Sequence, residues 1–220
     1  MKKSLVAIVG CIGLAVLAPE AGAGRATYTD QAQFLAALAQ HGYFVVQEGF
    51  EDAVPWQQVR SGGSFVTAPA MTSQGVIWSS CYPGGAITTG RGAAVAGSWG
   101  LFAVPHGAFG PPLCSRPGLC GDCFRGRGIG LLYAAGGFVL TNSPPAKVSI
   151  VLDGRPVDFG ASAILTSGTP RFFGVIDTAG FVEAAFAERE GTNGDQKLIF
   201  GDGFVFGFQC PPPAGPPPGP

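Results

Sequence analysis

Cysteine is the residue type with the most chemistry to offer in this sequence. Beyond the first two dozen residues the chain carries Cys81, Cys114, Cys120, Cys123 and Cys210. The two-residue gap between Cys120 and Cys123 lets both thiolates reach one metal, with Cys114 and His106 as further ligands for zinc. The same gap also suits a redox dithiol. A second well-spaced pair is missing, however, so disulfides are the expectation in any oxidising compartment. Cys114, Cys120 and Cys123 share a stretch with Pro111, Pro112 and Pro117, where a crosslink would restrain a long loop. An odd number of thiols leaves one over or pairs it between chains, and spacing alone does not give the connectivity.

The aromatic residues suggest a second chemistry. Trp56, Trp78, Tyr82 and Trp99 lie in Gly-rich or polar surroundings, where an exposed ring would stack on a sugar. The competing expectation for each is core packing. No cofactor is expected; Glu51, Asp195 and Asp202 fall near expected strand ends and are the carboxylates that would hold calcium if it were bound. No dense acidic loop accompanies them, and solvated turn carboxylates are the competing reading. No residue acquires a catalytic role. His41 and His106 lie in no arrangement with a nucleophile, and no serine occupies a Gly-x-Ser-x-Gly elbow. A glycosidase pair would have to be assembled by folding from Glu48, Glu51, Glu183, Glu188 and Asp202. With 12% charged residues and a net charge of −1, the chain offers no basic face to a nucleic acid.

These side chains must be positioned by short elements. At the N-terminus, Lys2 and Lys3 precede an apolar run from Leu5 to Ala18, followed by Ala21-Gly22-Ala23, the pattern of a removable signal peptide over residues 1–23. That run is too short to span a bilayer as a helix, and its continuation past Cys11 argues against a lipid attachment site. The expectation is a secreted or periplasmic protein with no membrane span in the mature chain. One domain follows over residues 24–209, then a Pro- and Gly-rich tail over 210–220.

Thirty-six Gly and 19 Pro break the chain too often for long helices, while 17 Phe supply large apolar groups between the breaks. One helix is predicted from Thr29 or Asp30 to about Gly42, with Gln33 in capping-box spacing and Phe34, Leu35 and Leu38 on one face. His41 falls in its last turn, where the helix dipole favours it. Strands are predicted over 43–50, 64–67, 75–79, 99–104, 171–177, 181–188 and 196–206. A hairpin is predicted around Asp153-Gly154, with Val148, Ile150 and Leu152 alternating onto one face and Pro156 at an edge. The fold class this implies is mainly β, an antiparallel β-sandwich or jelly roll with one short N-terminal helix.

The run Phe172-Phe173-Gly174-Val175-Ile176-Asp177, then Gly180-Phe181-Val182-Glu183, Asp195 and Phe200-Gly201-Asp202-Gly203-Phe204-Val205-Phe206-Gly207 resembles the closing segment of exported bacterial PEP-CTERM proteins. The helix with Phe34, Leu35 and Leu38, followed by a strand into Gly49-Phe50-Glu51, resembles their opening. These stretches cover roughly a third of the chain beyond residue 23 and omit the Cys-rich middle. The resemblance implies an exported jelly-roll-like module of uncharacterised or adhesive type and no established reaction. Members usually end in a Pro-Glu-Pro signature, an apolar segment and a basic tail, whereas this sequence ends in a run of Pro and Gly, so anchoring by that route is not expected. The function expected is non-catalytic binding at a cell surface or outside the cell, with an extracellular polysaccharide as ligand. The alternatives are a structural or adhesive role with a surface protein as partner and, more remotely, a secreted hydrolase.

Overall fold

The computed structural model describes residues 24–62, 66–104, 122–166, 168–189 and 198–209. The expected signal peptide, the tail and His106 lie outside these residues, as do Cys114, Cys120, Cys210 and Asp195. Among the described residues no helix is long and apolar enough to cross a membrane.

The chain opens with strand β1 (Arg25–Tyr28), helix α1 (Gln31–Gln40) and strand β2 (Phe44–Glu48). Asp30 caps α1 as expected, its carboxylate accepting from the Gln33 amide at 2.8 Å, and Gly42 ends the turn at φ +65°. A strand thus precedes the helix, which the sequence reading did not include. A short helix α2 (Ala53–Trp56) and a 3-10 turn lead to β3 (Arg60–Ser61). Then follow β4 (Ala70–Ser73), β5 (Val76–Ser80), β6 (Ala86–Gly90) and β7 (Gly100–Val104). The strand expected over 64–67 is not formed at Val66 and Thr67, and β4 begins at Ala70 instead.

The second half is built on two long strands, β8 (Cys123–Thr141) and β12 (Arg171–Glu188), with β13 (Ile199–Phe208) beside them. Between β8 and β12 come β9 (Ala146–Leu152), β10 (Arg155–Pro156) and β11 (Ile164–Leu165). The Asp153-Gly154 turn joins β9 to β10 as predicted, with φ of 45° and 82° at its two residues. The two strands expected over 171–177 and 181–188 are one continuous strand.

The architecture is a β-sandwich, antiparallel except for the short parallel pair β3–β6, in which β8 and β12 run through both layers. One layer pairs β4 with β5, β5 with the start of β8, β8 with the end of β12, and β12 with β9. The other pairs β1 with the start of β12, β12 with the end of β8, β8 with β13, and β13 with β2 and β7. The turn between layers is made by two irregularities. Ile176 and Phe181 face Ala134 and Leu132, so β12 has extra residues there; Phe181 and Glu183 face Leu132 and Arg127, so β8 has extra residues just beyond.

Alternation along the strands sends Phe124, Ile150 and Phe186 from one layer against Phe173, Phe204 and Phe206 from the other, giving the main core. Helix α1 covers the outer face of the second layer, with Phe34 and Leu38 fully buried against Ala134, Phe172, Ile176 and Val205. Each of those two side chains contributes roughly 1.5–3 kcal/mol by leaving water. The Phe34 ring lies so close to the sheet that a Cβ on Gly174 would come within 2.9 Å of it. The outer face of the first layer carries a smaller buried cluster of Cys123, Val151, Ala185 and Ala187.

Candidate functional site

Two of the three tryptophans expected as a sugar-stacking platform lie in the core. Trp56 and Trp78 are fully buried, and Tyr82 is 6% exposed. Phe50, itself at φ +60°, packs edge-on to Trp56 at 4.8 Å and to Trp78 at 5.4 Å, and Phe204 closes on Trp78 at 5.0 Å. Trp78 alternates inward on β5, so interlayer burial overrides the polar sequence around it. Trp56, Trp78 and Tyr82 therefore present no open ring face. Trp99 is half-buried, with the Arg60 guanidinium 4.8 Å and the Arg91 guanidinium 5.6 Å from its ring centre.

The calcium carboxylates have another task. Oε1 of Glu51 accepts from the amides of Ser98 and Trp99 at 2.6 and 2.9 Å. Oδ2 of Asp202 accepts from Val95 and Ala96 at 2.7 and 2.9 Å, and its Oδ1 from Gly203. Together they pin the segment that leads into β7. Burial pushes the Asp202 carboxyl above the ordinary aspartate range; the amides of Ala96, Val95 and Gly203 oppose the shift and Glu51 adds to it. Among the described residues no group of three or more His, Cys, Asp or Glu could hold a metal ion. Of the expected calcium carboxylates, Glu51 and Asp202 thus cap backbone amides, and Asp195 lies outside the described residues.

Cys81 and Cys123 form a disulfide between the end of β5 and the start of β8, with Cα atoms 5.4 Å apart. The Cys123 sulfur is therefore not a thiolate available to a metal, and the zinc alternative that needed it does not hold in this oxidised chain.

A cleft of about 330 Å³ opens where the two layers turn into each other. Its walls come from the start of β1 (Arg25), the β12 irregularity (Asp177, Ala179, Gly180) and the β9–β10 hairpin (Asp153, Arg155), and Leu152 and Phe181 give it apolar surface. Arg25 grips Asp177 through Nε at 2.9 Å and Nη2 at 2.7 Å, while the other oxygen of Asp177 accepts from the Ala179 amide. Asp153 accepts from the amides of Val182 and Glu183, which locks the hairpin turn onto β12. Gly180 adopts φ +77°, a left-handed conformation that glycine takes without the steric penalty of a side chain.

Beside this cleft the molecule presents a ladder of rings. His41 stacks on Tyr43 at 5.2 Å, and Tyr43 stacks on Tyr133 at 5.4 Å. Tyr133 reaches the cleft wall, since a Cβ on Gly180 would lie 3.2 Å from its ring. Burial, then the neighbouring Tyr133 and Asp177, raise the Tyr43 phenol above its usual range, so it stays a protonated donor. Large apolar residues remain uncovered at the same corner. Ile129 and Leu131, in the extra residues of β8, are 74% and 51% exposed, and Phe44 at the start of β2 is 41% exposed. Amphipathic rings, aliphatic surface and a fixed guanidinium–carboxylate pair thus converge at one end of the sandwich.

The sequence reading had His41 as a helix-end residue and did not select Tyr43, Tyr133 or Arg25. Asp177 enters it only as the last residue of the strand predicted over 171–177. The available signal was the Asp177-Thr178-Ala179-Gly180 break between two apolar runs, which marks the irregularity that builds the cleft. No family model matches the sequence, and no curated protein matches it. Among solved structures the chain is similar to the CBM22-1 xylan-binding domain of Paenibacillus barcinonensis Xyn10C, at 12% identity and a TM-score of 0.45, over 77% of this chain and 97% of that one.

Proposed function

We propose that this chain is an exported, non-catalytic binding module whose ligand is a carbohydrate seated at the corner between the layers. The observation that carries the reading is the adjacency of the Tyr43–Tyr133 stack to the cleft held by Arg25 and Asp177. Sugars present apolar C–H faces and hydroxyl edges together, and a site for them needs ring or aliphatic surface next to fixed hydrogen-bonding groups. The oxygens of Asp153 and Asp177 are engaged by Arg25 and by backbone amides, an arrangement that suits holding a ligand rather than passing a proton. Export is part of this reading: the Cys81–Cys123 bridge belongs to an oxidising compartment, in line with the N-terminal pattern and the resemblance to PEP-CTERM-associated proteins.

The test is retention on immobilised polysaccharides with Tyr133→Ala beside the wild type. Saturable binding by the wild type, weakened about tenfold or more in the variant, is expected for a ring in direct contact. Binding to no polysaccharide, or unchanged binding by the variant, would remove the site from consideration and leave a protein-adhesion role as the reading to pursue.

A further inference from the structure

Resting on that carbohydrate reading, we propose that the cleft selects acidic sugars, with Arg155 as the residue that receives the ligand's carboxylate. The charged groups lining the cleft are Arg25, Asp153, Arg155 and Asp177. Three of them are already engaged. Arg25 and Asp177 hold each other through two hydrogen bonds, and the second oxygen of Asp177 takes the Ala179 amide. Both oxygens of Asp153 accept from Val182, and one of them accepts from Glu183 as well. Glu183, the next carboxylate along β12, is paired with Arg125 on the outer sheet face at 3.2 Å.

Arg155 is the exception. Among the described residues its guanidinium has no hydrogen-bond or ion-pair partner, although its side chain lines the cleft and is exposed. Its backbone is fixed: Arg155 pairs with Leu152 across the tight Asp153-Gly154 turn, and Pro156 pairs with Val151. A planar fork of five donors on a rigid hairpin matches a carboxylate in two-point contact, and the cleft's own carboxylates are capped by other donors. A neutral sugar would leave that fork to water. A uronic acid would fill it while its ring lies toward the Tyr133 side.

The experiment compares oligogalacturonate with its methyl ester, titrated against the full exported chain and its Arg155→Gln and Tyr133→Ala variants by calorimetry. The acid form is expected to bind the wild type about tenfold more tightly than the ester, with that advantage shrinking as salt rises. Arg155→Gln should abolish the preference by lowering binding of the acid about tenfold, to the level of the ester, while Tyr133→Ala should weaken both forms alike. Equal binding of acid and ester by the wild type, or a preference that survives Arg155→Gln, would overturn the role of Arg155 and leave the carbohydrate reading standing. Failure of both forms to bind would overturn the acidic-sugar proposal, and the carbohydrate reading falls with it only if the wild type is also retained on no other immobilised polysaccharide. The exposure of Arg155 keeps the variant's folding out of question, and an unchanged unfolding curve verifies this.

Discussion

The molecule holds two groups of aromatic rings with opposite fates. Phe50, Trp56, Trp78 and Phe204 meet edge to face inside the sandwich, without solvent contact. His41, Tyr43 and Tyr133 meet face to face on its surface, beside the cleft. Ring size and polar sequence neighbours would assign the tryptophans to the surface, yet the tyrosines are the rings with phenol groups that tolerate contact with water. For Trp78, strand alternation and not the polarity of adjacent residues decides which way the ring turns.

That contrast can be broken from either side. The largest effect is expected from Trp78→Ala, which removes a fully buried indole and should lower unfolding free energy by roughly 3–5 kcal/mol in urea titration. The Cys81→Ala, Cys123→Ala double variant opens a crosslink spanning 42 residues and should cost about 2–4 kcal/mol in the same measurement, without moving the tyrosine corner. Tyr133→Ala should do the reverse, costing about tenfold in glycan affinity with an unfolding midpoint close to the wild type. If Trp78→Ala left stability intact, or Tyr133→Ala unfolded the protein, the division into structural and surface rings would be wrong.

The smallest effect expected is a pH dependence at Asp202. Its carboxyl binds a proton more readily in the folded chain than in the unfolded one, because burial outweighs the three amides. Between the ordinary aspartate range and the raised folded value, the native state holds more proton, so stability rises as pH falls through that window and is lost as pH climbs past it. Asp202→Asn should flatten this slope in denaturation series run at stepwise pH. A wild-type slope of opposite sign would show that the amides of Val95, Ala96 and Gly203 dominate over burial.

Much of the fold was legible where local chemistry and tertiary packing agree. Asp30, Gln33 and Gly42 mark the helix because capping is a local matter, and Asp153-Gly154 marks its hairpin because the turn demands positive φ. Strand β8 was not legible. Its glycines read as loop punctuation, but they are where rings need room: a Cβ on Gly126 would sit 2.8 Å from the ring of Phe206, and Gly137 faces Phe204. The candidate site was hidden for a related reason. Tyr133 lies on that unread strand, and Arg25, Asp153 and Asp177 become neighbours only when irregularities in two long strands fold one layer onto the other.

Those two strands have a mechanical consequence. A ligand fixed to a surface and held at the cleft would pull on Asp177 and Gly180 of β12, beside Tyr133 of β8. Because both strands continue into each layer, tension along them loads many ladder hydrogen bonds at once, in shear, instead of peeling an edge strand one bond at a time. Tension applied at that corner along the strands is thus shared between the two layers.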